Sequence, residues 1–275
     1  MVGLIRAEWL KITRQNTSRV MAGILLGIAA LFVLIEATNV TGTSRLAFRQ
    51  SSFDGLSFPN GFYVSVKDII GNVGVLIVVV LVANTVGSEY GFDTWKNLLV
   101  RHQGRGRFIA AKMVVTLTAL LGIFVATAAI TQLFSSVGQV LVTDTAKQIG
   151  LTQSSLSSDQ FLQNLYSESL PLLLYFGVLG AFATFCTVVG RSTVTGIIIP
   201  LVFWVGDNFS LRLLGPSSSL TNFTLSKNVS SLQDNLGHSG SGSMETWQSL
   251  LILGTYMLVS LVAAFVIFRQ HDMAG

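Results

Sequence analysis

The side chains able to do covalent or acid–base chemistry are few and scattered. The chain holds one cysteine, Cys186, and three histidines, His102, His238 and His271, far apart in sequence. One thiol excludes an internal disulfide and any zinc site built on paired cysteines. The phosphate loop GxxxxGK(S/T) does not occur, and Gly104-Arg105-Gly106-Arg107 is a turn with basic flanks. Neither HExxH nor GxSxG occurs, so metalloprotease and hydrolase chemistry lack their residues.

The sequence offers contact chemistry instead. After Gly91, which breaks a helix, Phe92, Trp95, Leu98 and Leu99 recur at helical spacing. They predict a short amphipathic helix over about 92–100, too short to span a membrane. Its apolar face must lie under the bilayer or dock into a partner. A solvated loop has no need of four large apolar side chains on one face. Glu89, Tyr90 and Arg101 flank this segment. A second stripe lies near the N-terminus. Ile5, Trp9 and Ile12 stand at i, i+4 and i+7, with Arg6, Glu8, Lys11 and Arg14 around them. This predicts an interfacial helix over residues 1–18, with Trp9 at headgroup level.

The composition shows what these stripes are attached to. Of 275 residues, 51% are hydrophobic and only 11% charged. A soluble domain carries roughly 25% charged residues. Mean hydropathy is +0.64. These values exclude a disordered chain and a typical soluble enzyme, and they predict a polytopic membrane protein. Intervals free of Asp, Glu, Lys and Arg place six spans, at about 20–37, 69–88, 110–134, 170–190, 192–209 and 246–268. The fifth is the shortest and holds Pro200; Phe209 and Leu211 are available to extend it beyond Asp207. The Gly190-Arg191-Ser192 turn makes spans four and five a tight hairpin. Pro171 suits the first turn of span four.

Six spans put both termini on one side. That side carries 11 of the 17 basic residues against four acids, and the other side carries more acids than bases. The positive-inside rule then makes both termini cytoplasmic, in a multi-pass protein of the inner or plasma membrane. The basic excess reads as topology and does not suggest nucleic acid. The charged, amphipathic first 19 residues predict no cleavable signal peptide. Residues 38–67, 136–168 and 207–244 are polar outer segments, the second with a short surface helix around Phe161, Leu162 and Leu165. The five N-x-S/T sequons fit chance in a chain rich in Ser and Thr.

Ionisable residues inside spans mark proton or ion paths. Only Glu36 and Lys67-Asp68 come near, at outer span ends, and they read as interfacial groups. Asn84 and Thr85 in span two read as contacts between helices. Cys186 reads as packing.

Four short runs resemble type-2 ABC transporter permeases. They are Ala7-Glu8-Trp9-Leu10-Lys11; Glu89-Tyr90 with Thr94 and Lys96–Leu99; Arg107-Phe108 with Ala111-Lys112; and Phe268-Arg269-Gln270-His271-Asp272. One departure is Asp93, where the family usually has glycine. The resemblance implies an all-α membrane protein of six transmembrane helices with an N-terminal interfacial helix. It implies the permease subunit of an ATP-driven ABC exporter, paired with a second permease as homo- or heterodimer. ATP and Mg would sit on a separate P-loop ATPase subunit, so this chain would carry no cofactor and no catalytic or metal residue. The 92–100 segment would be the coupling helix, with Glu89, Tyr90, Phe92, Trp95, Leu98, Leu99 and Arg101 at the contact. The translocation path would run between permeases, with Asn84, Phe203 and Trp204 as lining candidates. For Phe203 and Trp204 an aromatic belt explains the residues equally well. A charge-poor lining suits an amphipathic or lipid-like substrate. The competing reading is a six-span scaffold or assembly protein without transport.

Overall fold

The computed structural model describes residues 6, 9–10, 14, 16–42, 45–57, 60, 62, 71–91, 105–151, 158–215, 218–237 and 244–271. Among them are eight α-helices and no strand. Helix α1 covers Asn16–Thr41, α2 Leu46–Leu56, α3 Gly71–Gly91 and α4 Arg105–Gln148. Helix α5 covers Ser158–Gly190, α6 Thr193–Leu214, α7 Leu225–Leu236 and α8 Thr246–His271. A 3-10 turn, Ser219–Phe223, precedes α7.

Five segments are long and apolar enough to cross a bilayer: Arg19–Thr41, Val114–Gln148, Asp159–Gly190, Thr193–Leu214 and Thr246–Phe268. They are consistent with a multi-pass membrane protein. The second of the six expected spans falls on α3, Gly71–Gly91, whose apolar stretch among the described residues is Val73–Ser88. Residues 69 and 70, where this span was expected to start, lie outside the described residues.

Other boundaries move outward. Helix α4 continues past 134 to Gln148. Helix α5 begins at Ser158 with Asp159 in its first turn, where a carboxylate suits the helix dipole. The surface helix expected around Phe161–Leu165 is therefore the start of α5. Pro171 lies inside α5 rather than at its first turn. Beside it, Ser167 and Ser169 donate their hydroxyls to the carbonyls of Asn164 and Leu165, at 3.0 and 2.5 Å. Of residues 1–18, Trp9 and Leu10 are helical and exposed. Ile5 and Ile12 lie outside the described residues. Helix α1 begins at Asn16, so the expected interfacial segment overlaps it.

The chain divides into two compact units, Val20–Gly74 with Leu121–Ser169, and Met1–Arg19 with Val75–Leu120 and Leu170–Gly275. The first unit has a small core of Val33 and Val40 from α1, Phe53 and Leu56 from α2, and Val142 and Ala146 from α4. Phe32, Ala37 and Leu151 pack against it. Gly138 lets α1 and α2 approach α4: a Cβ there would stand 2.9 Å from Val33 Cγ1 and 3.3 Å from Leu56 Cδ2. The 38–67 segment thus contributes a helix held by two of its large apolar residues, Phe53 and Leu56.

In the second unit, α3, α5 and α6 meet through small residues. A Cβ on Gly87 would lie 2.7 Å from the Thr193 Cα, so only glycine permits that backbone approach. A Cβ on Gly196 would lie 3.0 Å from the Ala83 Cβ. The hairpin expected between spans four and five is present. Arg191 adopts φ 47°, and the Ser192 hydroxyl accepts the Val194 N–H at 3.2 Å as the N-cap of α6. Thr195 returns its hydroxyl to the Ser192 carbonyl at 2.8 Å.

Candidate functional site

Helix α6 does not stop at its only acidic residue. It runs through Asp207 to Leu214, using Phe209 and Leu211 as the sequence allowed. Asp207 therefore sits inside a candidate span, and its side chain is 8% exposed. An ionised group at such a position needs partners. They come from the N-terminus of α7. Asp207 Oδ1 accepts the Leu225 N–H at 2.8 Å. Its Oδ2 accepts the Ser226 N–H at 2.8 Å and the Ser226 hydroxyl at 2.5 Å. A carboxylate from one helix thus caps the orphan N–H groups of another, where the helix dipole favours negative charge. Tyr175 of α5 lies close by, beside Ser226 and Asp207.

The chain between α6 and α7 is folded back to make this contact. Tyr256, ten residues into α8, donates its hydroxyl to the Phe223 carbonyl at 3.2 Å. At the other end of α7, Asn235 Nδ2 donates to the Met244 carbonyl at 2.6 Å. Ten residues of helix rise about 15 Å on each side, so α7 and the first turns of α8 form an antiparallel pair of matched length. Helix α7 folds back along α8: its N-terminus lies level with Asp207 and Tyr256, which belong to candidate spans. Leu225, Val229 and Leu232 stand at i, i+4 and i+7 and are buried; Ser230 and Asp234 face outward. The turn before α7 is tied to it by side chains. Lys227 Nζ donates to Thr221 Oγ1 at 3.1 Å and Asn222 Oδ1 at 2.8 Å. Asn228 Nδ2 donates to the carbonyls of Asn222 and Thr224. Asn228 is wholly buried, which suits structure and not glycosylation.

Beneath the α7 N-terminus lies an apolar cavity of about 240 Å³. Phe182 and Phe185 of α5, Phe203 of α6, Leu225 of α7, and Val259 and Ala263 of α8 line it. Phe182 packs on Phe203 with ring centroids 5.1 Å apart, and on Phe185 at 6.2 Å. The polar clasp and the apolar cavity share Leu225, whose N–H is held by Asp207 and whose side chain lines the cavity.

The structure brings Phe203 and Trp204 to this site, one on the cavity and one beside the clasp. Asn84 is half-buried on α3 and does not line the cavity. Glu89 and Tyr90 lie in the last turn of α3. Phe92, Trp95, Leu98, Leu99 and Arg101 lie outside the described residues. Among the described residues no group of three or more His, Cys, Asp or Glu is placed to hold a metal ion. The sequence placed Asp207 inside the fifth span, 192–209, but did not mark it as a site residue, because its donors Leu225 and Ser226 come from a stretch that reads as a polar outer segment.

A family model described as a protein of unknown function, DUF2705, matches residues 24–274. The chain belongs to the DUF2705 family. This corrects the resemblance to type-2 ABC permeases, since the match over nearly the whole chain is to DUF2705 and not to that family. The four runs that carried the resemblance are short. Trp, Lys and Arg at span ends recur wherever helices meet a bilayer surface, so such runs discriminate poorly between membrane families. No curated protein and no solved structure matches this DUF2705 chain.

Proposed function

We propose that the chain is a membrane-spanning permease subunit of an ATP-driven exporter. A separate P-loop ATPase would bind ATP and Mg, and a second permease subunit would complete the path. The observation that carries this reading is α7, a short helix folded back between candidate spans. Irregular backbone at membrane depth is tolerated where it is buried in protein or lines a cavity, as in transporters with broken helices. The chain before α7, held by Asp207 above an apolar cavity, supports such an arrangement. The absent phosphate loop supports an external energy source. The apolar stripe of Phe92, Trp95, Leu98 and Leu99 supports a docking contact for it, and that contact rests on sequence pattern alone. The mechanism is a two-state one, in which closure of the ATPase pair shifts the spans between inward and outward arrangements.

The test is affinity purification of the tagged chain in mild detergent, with mass spectrometry and an ATPase assay on the eluate. A stoichiometric P-loop ATPase is expected, lost in Trp95→Asp while insertion and folding persist. A folded chain that brings down no ATPase favours the alternative, a non-transporting membrane scaffold, and makes the 92–100 stripe a surface anchor.

A further inference from the structure

We infer that the cavity under α7 is a binding site for a single acyl chain of a membrane lipid. Four aromatic rings, Phe182, Phe185, Phe203 and Tyr256, share the cavity lining with aliphatic side chains. The Ser260 and Tyr256 hydroxyls are the polar side-chain groups on its wall, and the Tyr256 hydroxyl is already given to the Phe223 carbonyl. A buried water needs two to four polar partners, so this cavity does not hold water well. Left empty, its walls forfeit dispersion contacts along their whole length. An apolar occupant restores them.

The mouth selects which occupant. Val259 lines the cavity and is also 57% exposed. It lies on one exposed apolar band with Leu258, Val262 and Phe265, inside the candidate span of α8. In a bilayer that band faces hydrocarbon, so the cavity is continuous with the lipid-facing surface. An acyl chain enters sideways from it without desolvating any polar group. A soluble amphiphile would have to cross the polar clasp of Asp207, Ser226 and Tyr175, or leave water for the bilayer first. Leu225 closes the cavity from above, because its backbone is fixed by Asp207 and its side chain is 1% exposed. The site does not depend on transport activity; it depends on the chain lying in a bilayer with α5, α6 and α8 as spans.

The experiment uses the purified full chain in vesicles of phosphatidylcholine that carries a diazirine in the acyl chain. After illumination, adducts are mapped by peptide mass spectrometry. Adducts are expected on Phe182 and Phe203, which are half-buried on the cavity wall, as well as on exposed Val202 and Val205. In Ala263→Trp, which fills the cavity, labelling of Phe182 and Phe203 falls to background while Val202 and Val205 stay labelled. Ser260→Leu fills the space from a different turn and serves as the second variant. Labelling of Val202 and Val205 without Phe182 and Phe203 in the unaltered chain overturns the proposal. So does labelling of Phe182 and Phe203 that persists in a folded, filled variant.

Discussion

Asp207 does for α7 what Ser192 does for α6, with more bonds and from another helix. Ser192 satisfies one N–H in an exposed turn. Asp207 satisfies two N–H groups and a hydroxyl where the carboxylate is buried. A lost N-cap costs about 0.5–2 kcal/mol, and hydrogen bonds to a charged group are worth about 1.5–3. Asp207→Ala is therefore expected to destabilise the chain by about 2 kcal/mol or more. Asp207→Asn keeps one acceptor and is expected to fall between. Thermal unfolding in detergent measures both, and hydrogen exchange at Leu225 and Ser226 locates the loss. Equal melting of Asp207→Ala and the unaltered chain would mean that α7 is held by its apolar stripe alone. That stripe, Leu225, Val229 and Leu232, was present in the sequence. Its depth was not, because the polar residues around it read as an outer loop.

At the scale of elements, the close approach of α3 and α6 depends on absent side chains. Gly87 faces the Thr193 backbone, which cannot swing aside as a flexible side chain can. Overpacking of this kind costs about 1–3 kcal/mol. Gly87→Val is expected to lower stability by that amount or to splay α3 from the α5–α6 turn. Cross-linking between cysteines placed at Val86 and Val194, in a Cys186→Ser background, reports the splaying. Undiminished cross-linking together with unchanged melting would show that the helices accommodate the branch. Extended helices also explain where span limits drifted. The charge-free interval from Lys112 to Asp144 already allowed α4 to pass 134, and a fixed span length cut it short. At α5, Pro171 was read as a start signal, although the residues from Ser158 onward have helical character of their own.

At the scale of the whole molecule, the distribution of Lys and Arg predicts an orientation that labelling can test. In the Cys186→Ser background, Ala274→Cys is expected to resist a membrane-impermeant maleimide added to intact cells, whereas Ser218→Cys is expected to react. The reverse pattern would place the termini outside and move the 92–101 segment away from any cytoplasmic ATPase. The Trp95→Asp purification is the matching test of partnership.

The sequence by itself determined that this chain is helical and made for a bilayer. Long apolar runs can satisfy their backbone only as helices there, so composition and charge spacing suffice. It also determined the α5–α6 hairpin, because so short a turn between two spans leaves no other course. Tertiary structure alone decided that Asp207 is buried against the N-terminus of α7 and that α7 folds back to meet it. A buried carboxylate is acceptable only beside donors, and those donors, Leu225 and Ser226, are brought to it by a turn whose path no local pattern encodes. The cavity is likewise a tertiary property. Phe182, Phe203, Leu225 and Val259 come from four helices, and only their packing leaves a space that an acyl chain can fill.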